Sequence, residues 1–298
     1  MEPQLQNHFK EEHNMTEIVK EMSEELGAKG NKYPDFLPRM AQFELTLLDW
    51  AEKNKGAREY VVFADKCWPA FPEAFGFEPC YVNSRLATKG IPVACEVDIY
   101  GGLSEYIGTC VTGAPDTLLD INNSVPADMW QSEIKGKYDY KLNDTFMGFH
   151  CGNTPFCRLS DASCPAIKFQ LIQHRLLEPK DSQPDFTRGT LEGDIAAGDI
   201  TFFRLHANAD GKLQAYIAQG EVLPVATRSF GGIGIFAIKE MGRFYRHVLI
   251  SKHYPHHGAV AFGHVGKALY TIFQYLGVPD IAYNKPAGQL YCDENPFA

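Results

Sequence analysis

Residues 91–123 read IPVACEVDIYGGLSEYIGTCVTGAPDTLLDINN. An apolar run, Ile91 to Val97, carries one acid near its end, Glu96. A second, Thr117 to Ile121, ends the same way on Asp120. Between them a helical stretch opens at Asp98 and closes at Gly113, a length that suits the crossover between two parallel strands. If those strands are neighbours, both carboxylates lie at the carboxyl-terminal edge of the sheet, outside which ligands bind in open α/β sheets. An ionised carboxylate in a buried strand needs a partner, and two in one crevice call for a cation or a shared proton. A divalent metal is the first reading. The alternative is that each acid sits in the loop past its strand, capping or solvated.

Working outward, the order helix, strand, helix, strand, helix, strand predicts a partial Rossmann-like parallel sheet. The spacing predicts helices from Thr16 to Gly27, from Leu37 to Lys55 and from Tyr81 to Lys89, the last ended by Gly90. Tyr60–Ala64 is a short buried strand, and the proline-broken stretch 66–79 is a loop with room for a short helix. No GxGxxG follows a strand, so no dinucleotide site is expected. After about residue 125 glycine, proline and asparagine become frequent, and short alternating runs replace the helices. Phe186–Glu192, Gly198–His206 and Lys212–Val222 read as strands, with a hairpin turn at Asn208-Ala-Asp-Gly. The glycine-rich stretch 227–238 reads as an edge or a bulge, and helix returns at 239–251 and 265–276. The fold class is therefore α/β: a partial Rossmann-like domain over 1–123, followed by an antiparallel β-rich, barrel-like domain over 124–298.

With 45% hydrophobic and 22% charged residues, the chain has the make-up of a globular protein that buries a sizeable core. A formal net charge of -9 argues against a nucleic-acid surface. No apolar run approaches the roughly 20 residues that span a bilayer. The N-terminus, MEPQLQNHFKEEHNMTE, lacks the apolar core of a secretory signal. The eight cysteines include no CxxC pair, and free thiols in a reducing cytoplasm are expected.

Histidines are the natural companions of the two acids, since imidazole joins carboxylates on Mn, Zn or Co. His256 and His257 form a doublet before Gly258, which reads as a loop able to approach a ligand closely. His253 and His264 flank the doublet; His264 can equally cap the helix that follows it. His150 stands beside Cys151, but with Cys157 and Cys164 the spacing fits no standard zinc finger. Each histidine alone is as readily a satisfied core or surface group. Trp68 and Trp130 are candidate platforms for a sugar ring, with core packing the commoner role. Ser104 and Ser251 lack a nucleophile elbow.

Taken in order, ACEVDIYGGLSEYIG, TLLDINN, GFHCGNTP and HHGAVAFGHVGKAL resemble the carboxyl-terminal half of L-fucose isomerase and its L-arabinose isomerase relatives. The resemblance, to the L-fucose/L-arabinose isomerase-like superfamily, covers roughly residues 60–280. It implies an aldose–ketose isomerase acting on a free monosaccharide, with Mn²⁺ as the usual metal. Glu96 and Asp120 would be the paired carboxylates, serving as metal ligands and in proton transfer, and His257 the imidazole ligand. His150 would correspond to the further histidine that arabinose isomerases place after the second acid. The resemblance also implies a homo-oligomer, and the free thiols and lack of a secretory signal a cytoplasmic one. Family members begin with an additional α/β domain, so the chain is expected to lack it and the substrate cover it provides.

The implied chemistry is physically coherent. A base takes a proton next to a carbonyl, a cation holding O1 and O2 stabilises the cis-enediolate, and two carboxylates exchange the roles of base and acid. Two other readings use the same residues: a non-catalytic sugar- or metal-binding relative or inactive fragment, and a metal-dependent hydrolase.

Overall fold

The computed structural model describes residues 13–31, 34–67, 70–160, 170–171, 189–229, 231–295 and 297. Residues 186–188 of the predicted strand at 186–192 lie outside the described residues, as do Trp68 and Cys164, and its last two residues open the observed strand Leu191–Asp194. The chain forms two compact units. One comprises 1–99, 151–195 and 229–232; the other comprises 100–150, 196–228 and 233–298. The change of sequence pattern near residue 125 and these units divide the chain differently, because segments of each unit interrupt the other.

The first unit is helical with little sheet. Helix α1 (Thr16–Gly30) kinks at Gly27, where φ is 59°, the position at which the periodicity predicts its end. Helix α2 (Leu37–Asn54) buries Leu37, Met40, Phe43 and Leu47 on one stripe, the spacing of a helix packed on one face. Phe43 meets Phe71, Phe75 and Phe77 with ring centroids 4.8 to 6.2 Å apart. Phe71 and Phe75 lie on α3 (Ala70–Phe75), a short helix inside the expected loop. Helix α4 (Cys80–Thr88) is buried along almost its whole length and ends before Gly90, whose φ is 81°. Strands β1 (Phe63–Ala64) and β2 (Val93–Ala94) pair in parallel. β2 runs straight into a 3₁₀ turn, Cys95–Val97. Further on, β5 (Gln170–Leu171) pairs antiparallel with β6 (Leu191–Asp194).

The second unit is a closed antiparallel barrel. Its strands are β3 (Thr117–Asn123), β4 (Thr145–His150), β7 (Gly198–Ala207), β8 (Leu213–Leu223), β9 (Gly232–Ala237) and β10 (His257–Phe262). Around the barrel they run β8-β7-β10-β3-β4-β9, and β9 pairs back onto β8 to close the ring. Closure leaves no unpaired edge among the six. The long strand β8 makes this possible. All of Leu213–Val222 pairs with β7, Glu221–Leu223 pairs with β9, and Gln214–Ile217 pairs in parallel with β11 (Asp280–Tyr283). The β7–β8 hairpin turns where the sequence predicts. Asn208 Oδ1 accepts the backbone N–H groups of Asp210 and Lys212, and Gly211 supplies a φ of 74°. Phe146, Phe202, Tyr216 and Phe236 pack ring on ring, with centroids 5.1 to 5.9 Å apart. Outside the barrel strands lie α5 (Ile99–Thr112), α6 (Met241–Phe244), which continues as a π-helical stretch to Ile250, and α7 (Gly266–Tyr275).

One expectation is corrected here. β2 and β3 do not flank a parallel crossover: β2 pairs with β1, while β3 lies between β10 and β4 and is antiparallel to both. Thus the described residues contain no Rossmann-like open sheet, and the fold is mixed α/β with an antiparallel barrel. A strand–helix–strand pattern fixes segment lengths but not which edge a strand joins. A buried β3 has the same apolar composition with either kind of neighbour. Likewise, 227–238 supplies β9, a barrel strand with neighbours on both sides, where the glycines had suggested an edge.

Candidate metal centre

Asp120 lies near the end of β3, and its direct antiparallel partner on β10 is His257. Directly opposed residues share a face and bring their side chains together. Nε2 of His257 stands 3.1 Å from Asp120 Oδ1, and Nε2 of His256 is 3.4 Å from the same oxygen. The third neighbour is His150, the last residue of β4, next to Phe149, which pairs with Asp120 from the other side. One donor atom from each of Asp120, His150 and His257 lies within 4.8 Å of the other two. The two imidazoles are buried, with ring centroids 5.8 Å apart. His256 is half exposed beside them, 4.4 Å ring to ring from His257.

The backbone holds this arrangement firmly. Ile121 N–H donates to the His256 carbonyl at 3.0 Å, and Nη1 of Arg204, a buried residue of β7, donates to the His257 carbonyl at 3.0 Å. Arg204 was not singled out in the sequence, where an arginine inside an alternating strand carries no distinctive signal. The His-His-Gly run is also corrected: it opens strand β10 and is not a ligand-approaching loop. Gly258 is required for another reason. A Cβ there would meet Phe202 Cε2 at 1.9 Å and the Tyr216 hydroxyl at 2.6 Å.

Electrostatics favour an ionised Asp120. Its partial burial works to raise the carboxyl, but the hydrogen bond from His257 and the nearby His150, His257 and His256 outweigh it and hold it below the ordinary carboxylate range. The donor set fits a divalent cation. With ligand bonds of roughly 2.2 Å, adjacent donors around an octahedral ion stand about 3.1 Å apart and opposite ones about 4.4 Å. The Asp120–His257 separation matches the adjacent case, and the 4.8 Å span leaves His150 within reach.

The other sequence candidates are placed as follows. Glu96 belongs to the first unit, in the turn after β2, with φ 61° and ψ 29°. Val97 follows at φ 59°. Two successive non-glycine residues in the left-handed region, one of them β-branched, is strain of the kind found at functional sites. His264 does not join Asp120; its Nε2 lies 3.1 Å from the Gly220 carbonyl oxygen. His253 sits in a turn at φ 56°. Cys151 and Cys157 enter no metal-ligating cluster among the described residues. Trp130 packs against the cluster of Val125, Ile134, Met147 and Ile235, the packing role. Ser104 donates to the Tyr100 carbonyl, and Ser251 to that of His247. A cavity of about 320 Å³ opens next to this strand, lined by Ile121, Asn123, Phe146 and Tyr245, but neither Asp120 nor a histidine lines it.

Residues 148–283 match the family model of the L-fucose isomerase C-terminal domain, a span that includes His150 and His257. The chain is similar to a sulfoquinovose isomerase of Clostridium sp. (strain MSTE9), 32% identical over 161 residues, which are 54% of this chain and 30% of that protein. A sulfoquinovose isomerase of Alkalicoccus urumqiensis is 24% identical over 243 residues, 81% of this chain and 47% of that protein. One of Priestia megaterium is 22% identical over 257 residues, 85% and 50% of the two chains. The chain thus spans half or less of the length of these curated relatives. No helix among the described residues is long and apolar enough to cross a membrane. The matched span and these relatives bear out the resemblance to L-fucose isomerase-like proteins read from the sequence.

Proposed function

We propose that the protein is a metal-dependent aldose–ketose isomerase acting on a free sugar through a cis-enediol. The observation that carries this reading is the meeting of Asp120, His257 and His150, with donor atoms within 4.8 Å of one another, on adjacent barrel strands. Asp120 and His257 would hold the cation, Mn²⁺ in this family, with His150 as a further imidazole. Bound there, the ion supplies Lewis-acid stabilisation of the two adjacent sugar oxygens.

The residues of this chain do the rest. Asp120, held ionised, accepts or returns the proton that moves between C1 and C2. The buried imidazoles exclude water from one side of it. Glu96 takes its role as the second carboxylate from the CEVD motif, and its left-handed backbone fixes the direction of its side chain. The relatives' names make sulfoquinovose the first aldose to assay, followed by L-fucose and L-arabinose.

The test is incubation of the chain with Mn²⁺ and each aldose in deuterated water, following ketose formation and deuterium uptake at C1 of the ketose. Ketose with solvent deuterium supports isomerisation through proton transfer. Metal and sugar binding by calorimetry with neither product nor exchange would instead support the non-catalytic binding relative, and release of cleaved products the hydrolase.

A further inference from the structure

The first unit carries a second cluster of metal-ligating side chains that shares no residue with the one on the barrel. Asp65 follows strand β1, Cys67 lies two residues beyond it, and Cys95 follows β2. The parallel pairing brings the two strand ends together. Asp65 N–H donates to the Ala94 carbonyl at 2.9 Å, and Val97 N–H donates to the Asp65 carbonyl at 2.7 Å. One donor atom from each of Asp65, Cys67 and Cys95 lies within 4.8 Å of the other two.

Two details distinguish this cluster from a chance meeting. The Sγ atoms of Cys67 and Cys95 are 3.7 Å apart. A disulfide requires about 2.05 Å. Two thiolates on a tetrahedral zinc, with bonds of roughly 2.3 Å, stand about 3.75 Å apart. Asp65 supplies the second detail. Its Oδ2 accepts the Asn83 amide at 2.7 Å, whereas Oδ1 is buried and meets no N–H or O–H donor among the described residues, the Cys95 thiol being the other group that acts on this carboxyl. A buried carboxylate oxygen left without a donor is costly. A cation in front of Oδ1 removes that cost.

We propose that Asp65, Cys67 and Cys95 form a structural site for a soft divalent cation, Zn²⁺ by donor type, with water in the fourth position. One carboxylate and two thiolates more than offset the charge of the ion, leaving the site with about one net negative charge, and binding releases the two thiol protons to solvent. Asp65 and Cys67 are half-buried and give the ion a way in, while Cys95 is buried. The ion would tie the end of β1 to the strained turn Cys95–Val97.

The test uses the full chain, reduced and then freed of reductant, titrated with Co²⁺ while the near-ultraviolet thiolate-to-cobalt charge-transfer band is recorded. Carboxylate and imidazole ligands give no such band, so the outcome is independent of the Asp120 centre. The site predicts a band saturating at one equivalent and bleached by Zn²⁺. It predicts loss of the band in Cys67→Ser, and retention in His257→Ala and in Cys110→Ser, an exposed cysteine elsewhere. Asp65→Asn should keep the band and weaken binding at least tenfold. Absence of the band in the unmodified chain overturns the proposal, as does its persistence in Cys67→Ser. So does a thiol count showing Cys67 and Cys95 already joined as a disulfide before metal is added.

Discussion

His257 and Asp120 are direct cross-strand partners in the barrel, and Nε2 of the imidazole stands 3.1 Å from Oδ1 of the carboxylate. The pH dependence of metal binding follows from this pair. Neighbouring histidines hold the Asp120 carboxyl below the ordinary range, so acid reaches the imidazoles first. They must be neutral to bind, with an ordinary pKa of about 6.5. Mn²⁺ affinity should therefore be flat at pH 8 and fall as pH drops through that region. If His150 and His257 both ligate, the slope of log K against pH should approach roughly 2, one proton displaced per imidazole. His150→Ala should reduce it to about 1. Calorimetric titrations across pH 5 to 8 (roughly the range in which histidine changes charge) check this; an unchanged slope in His150→Ala removes His150 from the ligand set. Without metal, the depressed carboxyl adds stability above its unfolded-state pKa. That contribution is lost as pH falls through the lower folded-state value. Asp120→Asn should abolish it.

The turn after β2 offers a second test. Val97 is 49% exposed, so its side chain contributes little packing, yet it holds φ at 59°. A left-handed conformation costs a non-glycine residue roughly 1–2 kcal/mol. Asn tolerates that region far better and does not add the chain entropy of glycine. Val97→Asn should therefore raise unfolding stability by about 0.5–1 kcal/mol. If Glu96 acts in proton transfer, Glu96→Gln should lower turnover much more than Mn²⁺ affinity, since the amide keeps an oxygen donor but accepts no proton. Chemical denaturation and paired kinetic and binding assays read these two changes separately.

Part of the fold and some candidate residues were legible in residue order. Asp120 stands out as a metal-ligating side chain near the end of an apolar strand-like run, whereas His257 drew attention as half of a doublet before a glycine and through the resemblance; helix lengths and the Asn208 hairpin follow from periodicity and turn chemistry. Strand partnership was not legible. β2 and β3 look alike as short apolar runs, but one ends in a two-stranded parallel pair and the other in a closed antiparallel barrel. Gly258 looked like access for a ligand; the aromatic rings that demand it, Phe202 and Tyr216, come from strands far away in sequence. Asp65, Cys67 and Cys95 escaped notice because a cluster assembled across two strands has no fixed spacing to read.

The ion network of the first unit should dominate that unit's response to mutation. Arg85 on α4 is 2% exposed; Nε lies 2.7 Å from Oε2 of Glu44, which is fully buried, and Nη2 lies 2.7 Å from Glu21. Glu25 also pairs with it. Arg85→Ala leaves Glu44 buried with Lys89 alone to meet it among the described residues, and breaking a buried pair typically costs about 3–5 kcal/mol. Lys53, half exposed and paired with Asp49 one helical turn away, is the control. Lys53→Ala should change stability by no more than about 0.5 kcal/mol. Urea denaturation of the two variants beside the unmodified chain makes the comparison. Equal losses would mean that solvent reaches the Arg85 network in solution.

Gly258 is where packing and the metal centre meet in one residue. It follows His257 and pairs with Leu119, the neighbour of Asp120. An alanine Cβ would sit 1.9 Å from Phe202 Cε2 and 2.3 Å from Cζ, so the ring must move. Phe202 is fully buried and packed against Phe146 and Tyr216, at 5.9 and 5.1 Å, which leaves it nowhere to turn without displacing them. Overpacking of this kind costs typically 1–3 kcal/mol, so Gly258→Ala should lower stability by about that amount. The alternative to moving the ring is to push β10 away from its neighbours, which lengthens the His257–Asp120 contact. Metal affinity then falls along with stability. The double variant Gly258→Ala, Phe202→Leu separates the two effects. The smaller side chain relieves the clash, so Mn²⁺ affinity should recover toward that of Phe202→Leu alone if the glycine serves register. No recovery would show that Gly258 matters to the centre in some way other than by making room for Phe202.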